Sequence, residues 1–222
     1  LEHRRQRQMC IRDSFDGALV FLTKSKGAIR EFIYSDLSQS YNSDALTILS
    51  PHILGTPVGM TAQRESSDQV EGYLYAVNSD GHMPVFMSIR KEKLQGWTRY
   101  ETNGSFKNVV NSNRKIYCIV ERTINSSTVT SLELLDNSYY LDMASQQSGG
   151  SSNTWTASHL PNTQVYVKSG NYSLGQYTTN GSGQVTLSEA VTSVEIGLNY
   201  TPTVQTLPPE FQLDDGLSLI HI

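Results

Sequence analysis

A chain of 222 residues with 17% charged side chains and a formal net charge of -4 gives no electrostatic case for binding nucleic acid or a membrane surface. Two cysteines, Cys10 and Cys118, exclude a disulfide framework, and no apolar run approaches the ~18 residues of a membrane-spanning helix. Twelve tyrosines, sixteen glycines and abundant Ser, Thr and Asn favour strands and turns, and no segment carries a convincing amphipathic helical period.

Residues 1–14, LEHRRQRQMCIRDS, are basic and show neither strand nor helix period. Arg4, Arg5 and Arg7 could form a nucleic-acid arm. However, this end and the closing LSLIHI look like translated sequencing-adaptor sequence, a contaminant of reading frames taken from assembled environmental DNA. Residues 1–14 are therefore set aside as an adaptor-like artefact, and residues 210–222 as a tail whose last residues are adaptor-like. The biological chain is expected to be cut at one or both ends.

From Ala18 a strand–turn–strand plan appears and repeats. ALVFLTKSKGAIREFIYSD is an apolar run, a Lys-Ser-Lys-Gly turn, and a second run in which Ile29, Glu31 and Ile33 alternate with Arg30, Phe32 and Tyr34. GYLYAVNSDGHMPVFMSIR repeats it around Asp80-Gly81, a pair suited to a tight turn because Gly accepts a positive φ. KIYCIVERTINSSTVTSLELL is the third copy; its turn at Ile124–Ser127 lacks Gly and is expected to be a looser loop. Further elements follow the first two copies, at Leu46–Leu54 and in GWTRYETNG. The spacing suits a unit of about four strands, the size of a β-propeller blade, and residues 15–144 are read as propeller-like blades, with an antiparallel meander lacking radial closure as the alternative that repetition alone leaves open.

Residues 145–156, opening on SQQSGGSSN, are polar and low in complexity, and are expected to be a flexible linker. Residues 157–209 follow as a small β-barrel or sandwich domain. Within it TQVYVKSG places Val165 and Val167 on one face before a Gly170-Asn171 turn. A second hairpin pair is expected around Asn180-Gly181, and a further strand in VTSVEIGLNY. The fold class is thus all-β: repeated hairpins resembling part of a β-propeller, then a small β-barrel or sandwich.

A search for chemistry assigns no catalytic, cofactor-binding or metal-ligating residue, and no cofactor is expected. His52, His82 and His159 have no partner at metal-ligand spacing, and His159, before Leu160-Pro161, suits a hydrogen-bonding role. No nucleophile elbow or phosphate-binding glycine loop occurs. Asp214-Asp215 lacks the oxygen spacing of a calcium loop and reads as solvated tail. Glu121, Glu133 and Asp136 would invite a glycosidase pair, with Glu121 and Glu133 expected near each other on paired strands; a sheet surface explains them as well. Trp97, Trp155, Tyr139 and Tyr140 could stack on sugars, but packing at a seam is the preferred reading. Cys118, inside an apolar strand, reads as core. Asn125 and Asn171 open N-x-S/T triplets, which chance explains in so Asn- and Ser-rich a chain.

Five segments in order, IREFIYSDLSQSYNSDALTILSPHIL, YLYAVNSDGHMPVFMSIRKEKLQGWTRYETNGSF, KIYCIVERTINSSTVTSLELLD, SHLPNTQVYVKSG and VEIGLNYTPTVQTLPPE, together span nearly all of residues 18–211. They resemble the C-terminal part of podovirus tail tubular protein B, the tail nozzle family. The more specific pieces are Arg30-Glu31-Phe32 with Tyr34, the Gln95-Gly96-Trp97 run with Arg99, Thr102 and Gly104, Val120 with Arg122-Thr123-Ile124-Asn125 and the following Leu132-Glu133-Leu134 with Asp136, and VEIGLNYTPTVQTL. The resemblance implies a structural, non-enzymatic subunit of a short phage tail, located in the virion tail. Identical subunits would form a ring, typically hexameric, that contacts the tail adaptor and other tail proteins and passes viral DNA without specific recognition. It implies a propeller-like body and brings no catalytic residues. DMASQQSGGSSNTWTAS departs from the family pattern, where the connection is often shorter. The competing reading is a carbohydrate-binding adhesin or tail receptor-binding module.

Overall fold

In a computed structural model residues 12–15, 17–64 and 70–201 are described, and they form fifteen strands in four antiparallel sheets. The first sheet runs β1 (Arg12–Phe15), β2 (Ala18–Leu22), β3 (Ile29–Ser35) and β4 (Ser40–Ala45), each paired with its neighbour in sequence. The second repeats this with β5 (Pro57–Gln63), β6 (Gly72–Asn78), β7 (Met83–Ile89) and β8 (Leu94–Tyr100). The third has β9 (Ser105–Ser112), β10 (Lys115–Ile124) and β11 (Ser127–Leu135). The three predicted hairpins are therefore the second and third strands of successive sheets. The first strands β1, β5 and β9 lie side by side, as the inner strands of consecutive propeller blades do. Asn111 reaches across this seam, its N–H donating to Thr61 Oγ1 at 3.1 Å and its side-chain amide to the Ala62 carbonyl at 2.7 Å. Gly81, at φ 89°, turns the second hairpin where any Cβ would sit 2.7 Å from Ser105 Cβ.

Two apolar cores join the three sheets. Phe15, Val20 and Ile29 of the first pack on Leu74, Ala76 and Phe86 of the second. Tyr75, Val77, Met83 and Val85, from the opposite face of the second sheet, pack on Val109, Ile116, Cys118 and Val120 of the third. The second sheet is thus buried on both faces, which is why GYLYAVN reads as nearly continuous apolar sequence. KIYCIVERTI, covered on one face, alternates strictly, with Ile116, Cys118, Val120, Arg122 and Ile124 buried.

The fourth sheet has the order β12-β15-β13-β14, from β12 (Asp142–Thr156), β13 (Gln164–Ser169), β14 (Tyr172–Thr178) and β15 (Gln184–Leu198). It is an open sheet and not a closed barrel. Its core takes Val185 and Leu187 from the start of β15 but Val194, Ile196 and Leu198 from its end. The inward positions change from odd to even, and the register breaks between Ser148 and Thr154 on β12 accommodate that change. Ile124 joins the same core with Val129 packed against it, so the tip of the third hairpin plugs into the fourth sheet.

Several expectations are corrected. Residues 145–156 are no linker: they lie within β12 and pair along β15. Ser and Gly side chains suffice where most positions are exposed, because the ladder needs only backbone groups, and Trp155 anchors the far end in the core. The fourth strand of the first sheet is Ser40–Ala45, whereas Leu46–Leu54 forms turns and a short 3-10 helix at Pro51–Ile53. Asn180-Gly181 does not join paired strands: β14 pairs with β13 and β15 with β12 and β13. There the Asn180 Oδ1 accepts the Ser182 and Gln184 N–H groups at 2.9 Å each, redirecting the chain through a side-chain turn. VTSVEIGLNY is no separate strand: its first eight residues end one long strand, β15, and Asn199 and Tyr200 lie beyond it. Residues 12–14, set aside with the adaptor-like end, pair with β2 as part of β1, since a ladder asks nothing of side-chain pattern. Residues 202–209 lie outside the described residues, as do Cys10, the rest of the adaptor-like start and the closing tail.

The third hairpin's turn is tight. Ile124 pairs directly with Ser127, and Asn125 and Ser126 take φ 48° and 63°, the type I′ geometry that matches strand twist. Asn tolerates the left-handed region through its short polar side chain, which is why Gly is dispensable here. Asn125→Val is expected to lower the stability by about 1–2 kcal/mol in urea denaturation, and Asn125→Gly to leave it nearly unchanged.

Candidate functional site

The second, third and fourth sheets meet at an open cleft of about 910 Å³. Its walls are Arg99–Thr102 at the end of β8, Ser131–Leu135 of β11, and the connection Tyr139–Leu141 with the start of β12; His159 and Tyr200 also line it. At its floor lies Arg122, on the inward face of β10 where alternation demands an apolar residue, with its side chain only 1% exposed.

A guanidinium brings five N–H donors in a fixed fork, and burying its charge requires carboxylate partners. Arg122 Nε and Nη2 donate to Glu133 Oε1 and Oε2 at 2.8 and 2.6 Å. Nη1 and Nη2 donate to Asp142 Oδ2 and Oδ1 at 2.8 Å each, and Nη1 also to the Asn103 carbonyl at 2.8 Å. The carboxylates are held in turn. Ser131 Oγ donates to Glu133 Oε1 at 2.6 Å, while the Thr102 hydroxyl and, at 3.1 Å, the Asn103 N–H donate to Asp142 Oδ2. Burial would lower the Arg122 pKa, but the hydrogen bonds and charges of Glu133 and Asp142 outweigh it and raise it above its ordinary value. Burial likewise pushes the Asp142 carboxyl up, yet the bonds from Arg122 and Thr102 prevail and hold it below 3.8. Gly104 makes room for the guanidinium stem: a Cβ there would lie 2.8 Å from Arg122 Cγ and 2.6 Å from the Glu121 carbonyl oxygen.

A second polar node stands beside the first. Glu195, 4% exposed, accepts the Tyr140 and Leu141 N–H groups on Oε1 at 2.6 and 2.8 Å. Lys168 Nζ stands 3.9 Å from Glu195 Oε2 and 3.9 Å from the centre of the Tyr140 ring, a cation–π contact.

The residues weighed from sequence scatter. Glu121 and Glu133, expected near each other, lie on opposite faces of the third sheet: Glu133 stands opposite Cys118 on the inward face, and Glu121 points outward to Lys107 Nζ at 2.9 Å. Strand pairing set by the turn places them an odd number of steps apart in face, so they form no carboxylate pair. Asp136 Oδ1 caps a turn by accepting the Ser138 N–H at 2.9 Å. Trp155 is buried in the fourth core, while Trp97 packs on Phe86 with ring centres 5.0 Å apart and donates Nε1–H to the Leu46 carbonyl at 2.8 Å. Tyr139 and Tyr140 do line the cleft. His159 Nε2 is 2.9 Å from the Met143 carbonyl oxygen, His82 stands between Asp80 and Glu101 at 3.2 and 3.7 Å, and His52 is exposed. Burial and the Glu133 charge push the Cys118 thiol up to about 12, which keeps it protonated and unreactive at neutral pH. Asp214-Asp215 lies outside the described residues. Among the described residues no cluster of His, Cys, Asp and Glu is placed to hold a metal ion, and no helix is long and apolar enough to cross a membrane.

Arg122 and Asp142 were missed as site residues, although the first was legible. An arginine alternating in step with Ile116, Cys118, Val120 and Ile124 must be buried and paired. Asp142 carried no local signal, because its role depends on where the fourth sheet docks. No protein-family model matches the chain, and no curated protein is significantly similar to it.

Arg122→Met leaves two carboxylates without their buried cation and is expected to cost about 3–5 kcal/mol in urea denaturation; adding Glu133→Gln and Asp142→Asn should recover part of that loss. Since Asp142 has a folded pKa below its unfolded value, its contribution is fully present above about pH 4 and is lost as pH falls through the folded value. The urea midpoint of the wild-type chain should accordingly fall more steeply below about pH 4 than that of Asp142→Asn.

Proposed function

We propose that the chain is a structural subunit of a short phage tail, part of a tail tube or nozzle through which viral DNA is ejected into the host. The observation that carries this reading is where the sequence pieces resembling tail nozzle proteins fall in the fold. Arg122 is the buried cation joining three sheets, Asn125 makes the turn whose neighbours enter the fourth core, Trp97 ties the second sheet to the first, and Glu195 anchors the connection into the fourth. These residues fix sheets to one another, which is what a scaffold asks of its distinctive positions. The net charge of -4 also suits a wall that DNA must slide past, since each Lys or Arg contact to phosphate would strengthen binding.

In this role the partners are identical subunits in a ring, the tail adaptor and other tail proteins, and the passing DNA, all in the virion tail. Two open apolar faces at the ends of the three-sheet stack offer surface for such contacts. On the first sheet Phe32 and Tyr41 stack with ring centres 4.9 Å apart, 40% and 64% exposed. On the third sheet Ile119 and Leu132 stand opposite one another, also exposed. The Phe32–Tyr41 stack equally favours the second reading, a carbohydrate-binding adhesin, and glycan-array binding abolished by Tyr41→Ala would select it. The tail reading predicts that the chain, mixed with portal–adaptor complexes, adds a ring of density under electron microscopy; a chain that stays monomeric and never joins them overturns it.

A further inference from the structure

The first two sheets each have a fourth strand, β4 or β8, antiparallel to the third. The third sheet stops at β11, and among the described residues nothing pairs with its outer edge. The Asn125-Ser126 turn determines which backbone groups face that edge. In a two-residue hairpin the residues flanking the turn exchange both hydrogen bonds, and bonded and non-bonded pairs alternate from there. With the unbroken register from Ile124↔Ser127 to Ile116↔Leu135, the N–H and C=O groups of Thr128, Thr130, Leu132 and Leu134 point away from β10.

The cleft runs along this edge, for Ser131 through Asn137 line it consecutively, whereas a sheet face would contribute alternate residues only. Proteins blunt free edges with Lys, Pro, bulges or inward charges; STVTSLELL has no Lys, Pro or bulge against β10, and its one inward charge, Glu133, is neutralised by Arg122. The cleft has a net negative lining: Arg122 bridges Glu133 and Asp142 and Arg99 pairs with Glu101, which leaves two carboxylate charges in excess, with Asp136 outside both pairs. On the other face Leu132 and Leu134 are 71% and 40% exposed. A twofold pairing of β11 with its own copy would bring together two clefts that each carry a net negative lining, so the complement lies in a different segment.

We propose that the free edge of β11 docks an extended strand of another polypeptide, with alternate apolar side chains toward Leu132 and Leu134 and basic ones toward the cleft carboxylates. The volume of about 910 Å³ accommodates a short strand. The added strand takes the place that β4 and β8 hold in the first two sheets, and its backbone supplies the affinity while the alternation supplies the selectivity.

The test uses the full chain and a fluorescein-labelled peptide of about ten residues alternating Val with Lys and Thr, followed by anisotropy. Saturable binding is expected, weakened about tenfold or more when the amides along one peptide edge are N-methylated, because two or more backbone bonds are then lost. Leu132→Pro should weaken it similarly, since it removes an outward N–H without costing the β10 ladder a bond. Where that variant fails to fold, judged by circular dichroism, the N-methylated peptide against the wild-type chain decides alone. Equal affinity for the N-methylated peptide, no saturation at millimolar peptide, or self-association of the chain that the peptide cannot displace would each overturn the assignment.

Discussion

The buried Arg122 guanidinium is the constraint on which the relative placement of the sheets depends. Its donors are directed in one plane, and its five bonds are answered from three parts of the chain: the loop after β8, strand β11 and the first residue of β12. An apolar contact tolerates a shift of an ångström with modest loss, but a forked charge-assisted network does not, because a displaced carboxylate leaves a buried charge uncompensated. The node therefore contributes geometry more than net stability. It selects one docking of three sheets whose greasy faces alone would accept several.

Around that point the apolar cores follow a simple division. The second sheet gives one face to the first and the other to the third, so its central strands must be apolar on both sides. The outer sheets each bury one face and keep another open. The fourth sheet joins the assembly differently, through the tip of the third hairpin, where Ile124 and Val129 enter its core. A type I′ turn suits this purpose, because a two-residue loop lets the last apolar side chains of both strands reach to the end of the hairpin without intervening polar residues.

What the sequence made legible were features with a local cause. Alternation and turn chemistry located three hairpins to within a residue or two at Ala18, Gly72 and Lys115, because each is set by its own side chains. Features decided at a distance were not legible. SQQSGGSSN reads as linker because nothing in it prefers a strand; it becomes one only because β15 offers a long partner. The misjudged turn at Asn125 had a local cause too, the tolerance of Asn for positive φ, and it passed unrecognised because Gly is the commoner marker. In the cleft, the inward position of Arg122 could be read from periodicity, while Asp142 and Glu195 acquire their roles only when the fourth sheet is in place.

Taken together, the two polar nodes say something about how the third and fourth sheets are joined. Residues 136–141 are the covalent crossing between β11 and β12, and such a crossing is ordinarily the most deformable part of a β structure. Here its far end is pinned twice, by Asp142 to Arg122 and by the Tyr140 and Leu141 N–H groups to Glu195, with Lys168 closing over the Tyr140 ring. Both carboxylates accept backbone N–H groups, Glu195 those of Tyr140 and Leu141 and Asp142 those of Asn103 and Met143, so the main chain itself is held. The polar residues of the cleft thus tie the main chain of this crossing to the third and fourth sheets and, through Thr102 and Asn103, to the loop after β8.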